Sequence, residues 1–169
     1  MRNIEIYLND LILRTLDING DLKNYLYWMS HPEDNEYIIS AKKNYPLSDL
    51  QDFIKNCNQN PSTILLGIFD RMRLVHIGNI KYENIDLVNK SAVMGILIGD
   101  KIYRGRGLAK NVIEESAKWL NNSLGLQTIF LGVDNNNSVA IKLYSKIGFI
   151  VKNNQLESGV TMQWDLNVK

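Results

Sequence analysis

The apolar pattern of this chain changes period at one place, and the change falls on a turn rich in glycine and arginine. Val93-Met94-Gly95-Ile96-Leu97-Ile98-Gly99 is a continuous apolar run, the pattern of a buried strand. From Leu108 the period is 3.6. Leu108, Val112, Ile113, Ser116, Ala117 and Leu120 share one helical face, and Lys110, Asn111, Glu114, Glu115 and Lys118 share the other. Between them lies Tyr103-Arg104-Gly105-Arg106-Gly107-Leu108-Ala109. A second buried run, Thr128-Ile129-Phe130-Leu131-Gly132-Val133, completes a β-α-β unit, expected to be parallel and right-handed. The turn also has a chemical use. Free N–H groups at a helix start point outward, and the helix dipole favours an anion there. Arg104, Arg106 and Lys110 add positive charge.

The other elements follow from the same two periods. Ile4–Leu8 and Leu11–Arg14 are short apolar runs around turn-prone Asn9-Asp10, a bent or paired strand. Asp21 is expected to cap a helix carrying Leu22, Tyr25, Leu26 and Met29, stopped by His31-Pro32. Residues 33–45 are weakly periodic, a loop with some helix and a candidate substrate wall. Ser48 is expected to cap a second helix with Leu50, Phe53, Ile54 and Cys57 on its face. Runs at 63–69 and 74–82 lead by short links into Val93–Gly99, an antiparallel meander. Asp134–Ser138 opens a last helix ending at Gly148, and strands at 149–151 and 160–166 finish the sheet.

Composition narrows the function classes. The length, 169 residues, suits one domain, here 1–169. A net charge of +1 argues against a nucleic-acid binder. Cys57 is the only cysteine, so no internal disulfide or cysteine-based zinc cluster forms, and His31 and His76 lack ligand spacing. No signal peptide or membrane span is legible, so the expected location is the cytoplasm.

The turn is neither a Walker A loop nor the full dinucleotide fingerprint, since position 110 is Lys. Arg-x-x-Gly-x-Ala after a strand and opening a helix resembles the acetyl-CoA pyrophosphate loop of the GNAT (Gcn5-related) N-acetyltransferases. Asn137-x-x-Ala140-x-x-Leu143-Tyr144-x-x-x-Gly148-Phe149 is similar to a second segment of that family. Leu11-Ile12-Leu13-Arg14-Thr15-Leu16 resembles its RimJ/RimL-like branch. The resemblance implies an α+β (mixed α/β) GNAT-type fold, a mostly antiparallel sheet of roughly six or seven strands flanked by about four helices. It implies acetyl-CoA as cosubstrate, no metal, a small-molecule amine acceptor, no nucleic acid, no membrane, and a monomer or homodimer.

Roles carry over residue by residue. The resemblance gives the pyrophosphate to the backbone of Gly105, Arg106, Gly107, Leu108 and Ala109. Arg104 and Arg106 either add charge beside it or are solvated surface charges. Leu97, Ile98 and Gly99 are the pantetheine and acetyl contact, made through backbone. Asn137 either hydrogen-bonds the CoA arm or caps its helix. Tyr144 corresponds to the family tyrosine that protonates the leaving thiolate; without the motif it would read as a core aromatic. The familiar base positions are occupied by Gly132 and Val93, so no base is carried over. His76 has a suitable intrinsic pKa and is named as catalytic candidate against its alternative, a satisfied buried histidine. Glu36, Glu83 and Asp86 are the other candidates, and the amine arriving already neutral is the remaining option.

For the acceptor, His76–Lys81 with Gly95–Lys101 resembles GNATs acting on nucleotide-linked amino sugars. A protein N-terminal amine is the alternative acceptor, and a non-catalytic CoA-binding module the alternative of another class.

Overall fold

The computed structural model describes residues 3–34, 36–37, 41–156 and 159–167. The apolar runs become eight strands: β1 (Glu5–Tyr7), β2 (Leu11–Thr15), β3 (Ile64–Asp70), β4 (His76–Asp86), β5 (Ser91–Ile98), β6 (Thr128–Asp134), β7 (Ile150–Leu156) and β8 (Gly159–Asp165). Among the described residues four α-helices accompany them: α1 (Lys23–Ser30), α2 (Leu47–Gln59), α3 (Leu108–Leu124) and α4 (Ser138–Ile147). The strands form one sheet in the order β1-β2-β3-β4-β5-β6-β8-β7. The β5–β6 pair is parallel and every other pair antiparallel. The sheet exceeds the expected six or seven strands because residues 4–15 are a paired hairpin around Asn9-Asp10, not one bent strand.

The two sheet faces bury different clusters. On one, Leu13, Leu66, Ile68, Ile80 and Tyr82 pack with Val112, Ile113, Ala117 and Leu120 of α3 and with Ile147 and Phe149. On the other, Leu65 and Phe69 pack with Tyr25, Trp28 and Met29 of α1 and with Leu50, Ile54 and Cys57 of α2. Neighbours such as Leu65 and Leu66 go to opposite clusters because strand side chains alternate.

Two helix starts depart from expectation. Asp21 does accept the Lys23 amide at 3.1 Å, but Leu22 is the capping residue of α1. Helix α2 begins at Leu47 behind Pro46, whose φ of −69° and ψ of 141° set the entry, so Ser48 lies inside the first turn. No helix among the described residues is long and apolar enough to cross a membrane.

Tyr82 is fully buried beneath α3, and its hydroxyl meets Ser116 Oγ at 2.8 Å. Tyr82→Phe leaves Ser116 able to donate to the Val112 carbonyl. The substitution should therefore cost only about 1 kcal/mol, whereas Ile80→Ala in the same layer should cost about 2–5 kcal/mol. Urea unfolding reads both, as lower midpoints at unchanged slope.

Candidate active site

Strands β5 and β6 pair for only three rungs, Ser91 with Thr128, Ala92 with Ile129 and Val93 with Phe130. Beyond them β5 runs on to Ile98, paired on its other side with β4. Strand β6 runs on to Asp134, paired only with β8. The sheet therefore opens into a wedge between Met94–Ile98 and 131–134. Backbone groups on those edges lose their ladder partners, a loss that water or a ligand must make good.

Register identifies which amides face the wedge. The Gly99 N–H donates to the Ile77 carbonyl at 3.0 Å, toward β4. Alternation along β5 puts the Leu97 amide on that same side and the Ile96 and Ile98 amides on the wedge side. This corrects the expectation that Leu97 and Gly99 offer their amides to a ligand, and leaves Ile98 of the three. Gly99 has a different requirement: a Cβ there would collide with the Trp28 indole of α1.

At the end of β5 the chain makes a short 3-10 turn, Lys101–Tyr103, and enters the arginine-glycine turn. Gly105 and Gly107 both have φ of 74°, and open space lies where their Cβ atoms would be. Backbone conformation, not crowding, selects glycine here. Gly107 caps α3 without a side-chain hydrogen bond, and the first turn of α3 holds no acidic residue. Among the described residues, none accepts a hydrogen bond from the amides of Gly105 to Ala109; the Lys110 amide turns back to the Gly107 carbonyl at 3.2 Å. Several open N–H groups at a helix start form an anion cradle.

The two arginines part ways. Arg104 Nε donates to the Ile98 carbonyl at 2.8 Å, Nη2 to the Gly99 carbonyl at 3.1 Å, and Nη1 to the Asp34 carbonyl at 3.1 Å. Its amide is held by the Lys101 carbonyl. Arg104 is thus a strap from the turn to the end of β5, which corrects its assignment as a cofactor-contacting residue. Arg106 is exposed, its guanidinium 5.4 Å from the Tyr103 ring centre. Tyr103 is anchored in turn by its hydroxyl, which donates to Asp70 at 2.8 Å.

Across the wedge, β6 turns into α4. Asn137 Oδ1 accepts the Ala140 amide at 3.1 Å, so Asn137 caps the helix. Its Nδ2 remains a donor with no partner among the described residues. Tyr144 is half-buried and packs against Phe149 at 5.7 Å. Gly148, at φ of 121°, turns the chain so that Phe149 returns behind that ring, and the amides of both close on the Tyr144 carbonyl. Among the described residues nothing hydrogen-bonds the Tyr144 hydroxyl. Burial pushes its pKa above the ordinary phenol value, so it stays protonated at neutral pH.

On the α1–α2 face a groove of about 500 Å³ runs over β4 and β5. Asn79, Lys81, Glu83, Gly95 and Leu97 form its floor, and Tyr25, Met29, Tyr37, Tyr45 and Phe53 its walls. Glu83 is paired with Lys81 at 2.7 Å. These groove residues carry no motif. The weak periodicity of 33–45 hinted at Tyr37 and Tyr45, but Phe53 reads simply as a helix-face aromatic.

The candidate bases do not converge. His76 is buried, lines a different cavity, and has Nε2 2.9 Å from both the Gly78 carbonyl and Asn79 Oδ1. It stacks on Phe69 at 4.7 Å, and burial lowers its pKa. That corrects its candidacy as a base. Asp86 accepts the amides of Val88 and Asn89 and belongs to the β4–β5 turn. Glu36 is exposed beside Tyr37. Glu83 alone of the four lines the groove. No group of three or more His, Cys, Asp or Glu among the described residues could hold a metal ion.

A profile of the acetyltransferase (GNAT) domain matches residues 10–150. The chain belongs to the GNAT acetyltransferase family. This makes it an acyltransferase using acetyl-CoA. Solved structures share the fold. Spermidine N-acetyltransferase from Vibrio cholerae, in complex with CoA and spermine, superposes with a TM-score of 0.80 at 20% identity, over 92% of this chain and 94% of that one. The microcin C7 self-immunity acetyltransferase MccE, in complex with acetyl-CoA and AMP, gives 0.80 at 16% identity, over 94% of each chain. A Vibrio cholerae protein provisionally described as a ribosomal-protein-serine acetyltransferase gives 0.77 at 15% identity, over 96% and 97%. No curated protein matches the chain in sequence.

Gly107→Ala forces a side chain into the left-handed region at about 1–3 kcal/mol. It should weaken CoA binding roughly tenfold or more by calorimetry, while Arg106→Ala, removing an exposed charge, should cost less than about threefold.

Proposed function

We propose that the wedge between β5 and β6 holds acetyl-CoA and that the groove on the α1–α2 face presents a primary amine to it. The two react by direct attack in a ternary complex. Three sets of unused donors support this reading: the Gly105–Ala109 amides at the start of α3, the wedge-side amides of β5, and the Tyr144 hydroxyl on α4, the helix that follows β6. The turn amides take the pyrophosphate. Asn137 Nδ2 donates to the CoA arm. The Ile96 and Ile98 amides bind the pantetheine and the thioester oxygen, where negative charge grows as the amine nitrogen bonds to carbon. The carbon–sulfur bond then breaks, and Tyr144 gives its proton to the departing sulfur. The amine's proton leaves through groove water, with Glu83 the carboxylate among the described lining residues.

The acceptor proposed is a nucleotide-linked amino sugar. The groove offers aromatic rings, on which the C–H faces of a sugar pack, and a carboxylate already offset by Lys81. A polycation such as the spermine held by the Vibrio cholerae spermidine enzyme would need several unopposed carboxylates.

Turnover measured by thiol release over UDP- and dTDP-amino sugars, amino-terminal peptides and polyamines tests this. Amino-sugar turnover is expected; tight CoA binding with no amine acetylated would leave only a binding module. Tyr144→Phe should lower kcat about 100-fold or more while changing CoA affinity by less than about threefold. An unchanged kcat would remove its acid role. Because burial raises the Tyr144 pKa, kcat/KM should climb as the acceptor amine loses its proton and show no downward limb below pH of about 10.

A further inference from the structure

Asn79 is a polar residue only 5% exposed, yet it lines the groove floor, directly opposite Leu97 in the β4–β5 register. Its orientation is determined by its neighbour. His76 Nε2 lies 2.9 Å from the Gly78 carbonyl, which can only accept, so the ring proton sits on Nε2. The same N–H reaches Asn79 at 2.9 Å, so the carboxamide must turn its oxygen to the histidine. His76 itself is clamped by Phe69 stacked on one side, with Trp28 edge-on at 5.1 Å. Burial keeps the imidazole neutral, with a single ring N–H. The consequence is an Asn79 Nδ2 with no hydrogen-bond partner, a buried donor left unsatisfied at a free-energy cost.

We propose that Asn79, turned by His76, selects the acceptor by an oxygen next to its amine. Nδ2 donates to a hydroxyl or carbonyl oxygen on the carbon adjoining the amine-bearing one. This rests on the groove being the acceptor site. It makes the site a reader of vicinal amino alcohols, the pattern of an amino sugar with its neighbouring hydroxyl intact, and a poor site for plain alkylamines. His76 is then a positioning residue: it fixes which end of the carboxamide faces the groove and touches no substrate.

The test compares matched acceptors, each amino sugar against its analogue lacking only the adjacent hydroxyl, in kcat/KM. The wild-type enzyme should prefer the hydroxylated member by about tenfold or more. Asn79→Ala should bring that ratio close to one. Asn79→Asp keeps the size but replaces the donor by an acceptor, and should do the same, which covers the case of Asn79→Ala failing to fold. A ratio near one in the wild type, or a ratio that both substitutions leave intact, overturns the proposal. The same pairs titrated calorimetrically into CoA-loaded enzyme separate this inference from the transferase reading. Hydroxyl-dependent binding lost in Asn79→Asp, with no turnover of any acceptor, supports the Asn79 role while removing the proposed reaction.

Discussion

The proposed site depends on two parallel strands that stop pairing. Parallel strands normally stay hydrogen-bonded, because an edge inside a sheet leaves donors and acceptors without partners. Here β5 and β6 separate after Val93 and Phe130, and each is held straight by its outer neighbour, β4 on one side and β8 on the other. The wedge thus lies within a sheet of six antiparallel pairs, at its one interrupted pair. It sits at the carboxyl ends of parallel strands, beside the helix start that follows β5, where α/β proteins collect ligands.

The parts around the wedge divide between holding and reacting. Arg104 gathers three carbonyls, including both ends of the Ile98-Gly99 step, and so fixes the glycine turn relative to β5. Gly148 and Phe149 do the same for Tyr144, returning an aromatic ring behind it. What remains open after that includes turn amides, β5 amides and one phenol, beside the carbonyls of the same strand edges. Those donors suit a phosphate-bearing thioester whose oxygen gains negative charge during reaction.

The fold, and the elements that carry the proposed CoA side, were legible because their signals are local. Glycine at 105 and 107 is demanded by the backbone, the period change at Leu108 announces the helix, and Asn137 through Phe149 occupies one helix and its exit. The misread residues depend on contacts far along the chain. Arg104 is spent on carbonyls as distant as Asp34, Gly99 answers to Trp28, and His76 is enclosed by Trp28, Phe69 and Asn79. The groove was least legible, since Tyr25, Tyr45, Phe53 and Asn79 converge from four separate segments with no spacing rule between them. The strand count stayed open for a smaller reason: a three-residue β1 is too short a run to decide between one bent strand and a pair.

The central claim, that donors left open by the parted strands receive the cosubstrate, is tested most directly by backbone amide NMR of the chain with and without CoA. The account predicts the largest shifts and the greatest slowing of hydrogen exchange at Ile96, Ile98 and the Gly105–Ala109 amides, with Leu97 and Gly99 little changed. Perturbation centred on the α2–β3 cavity near Cys57 and Asn58, with the wedge amides silent, would contradict it.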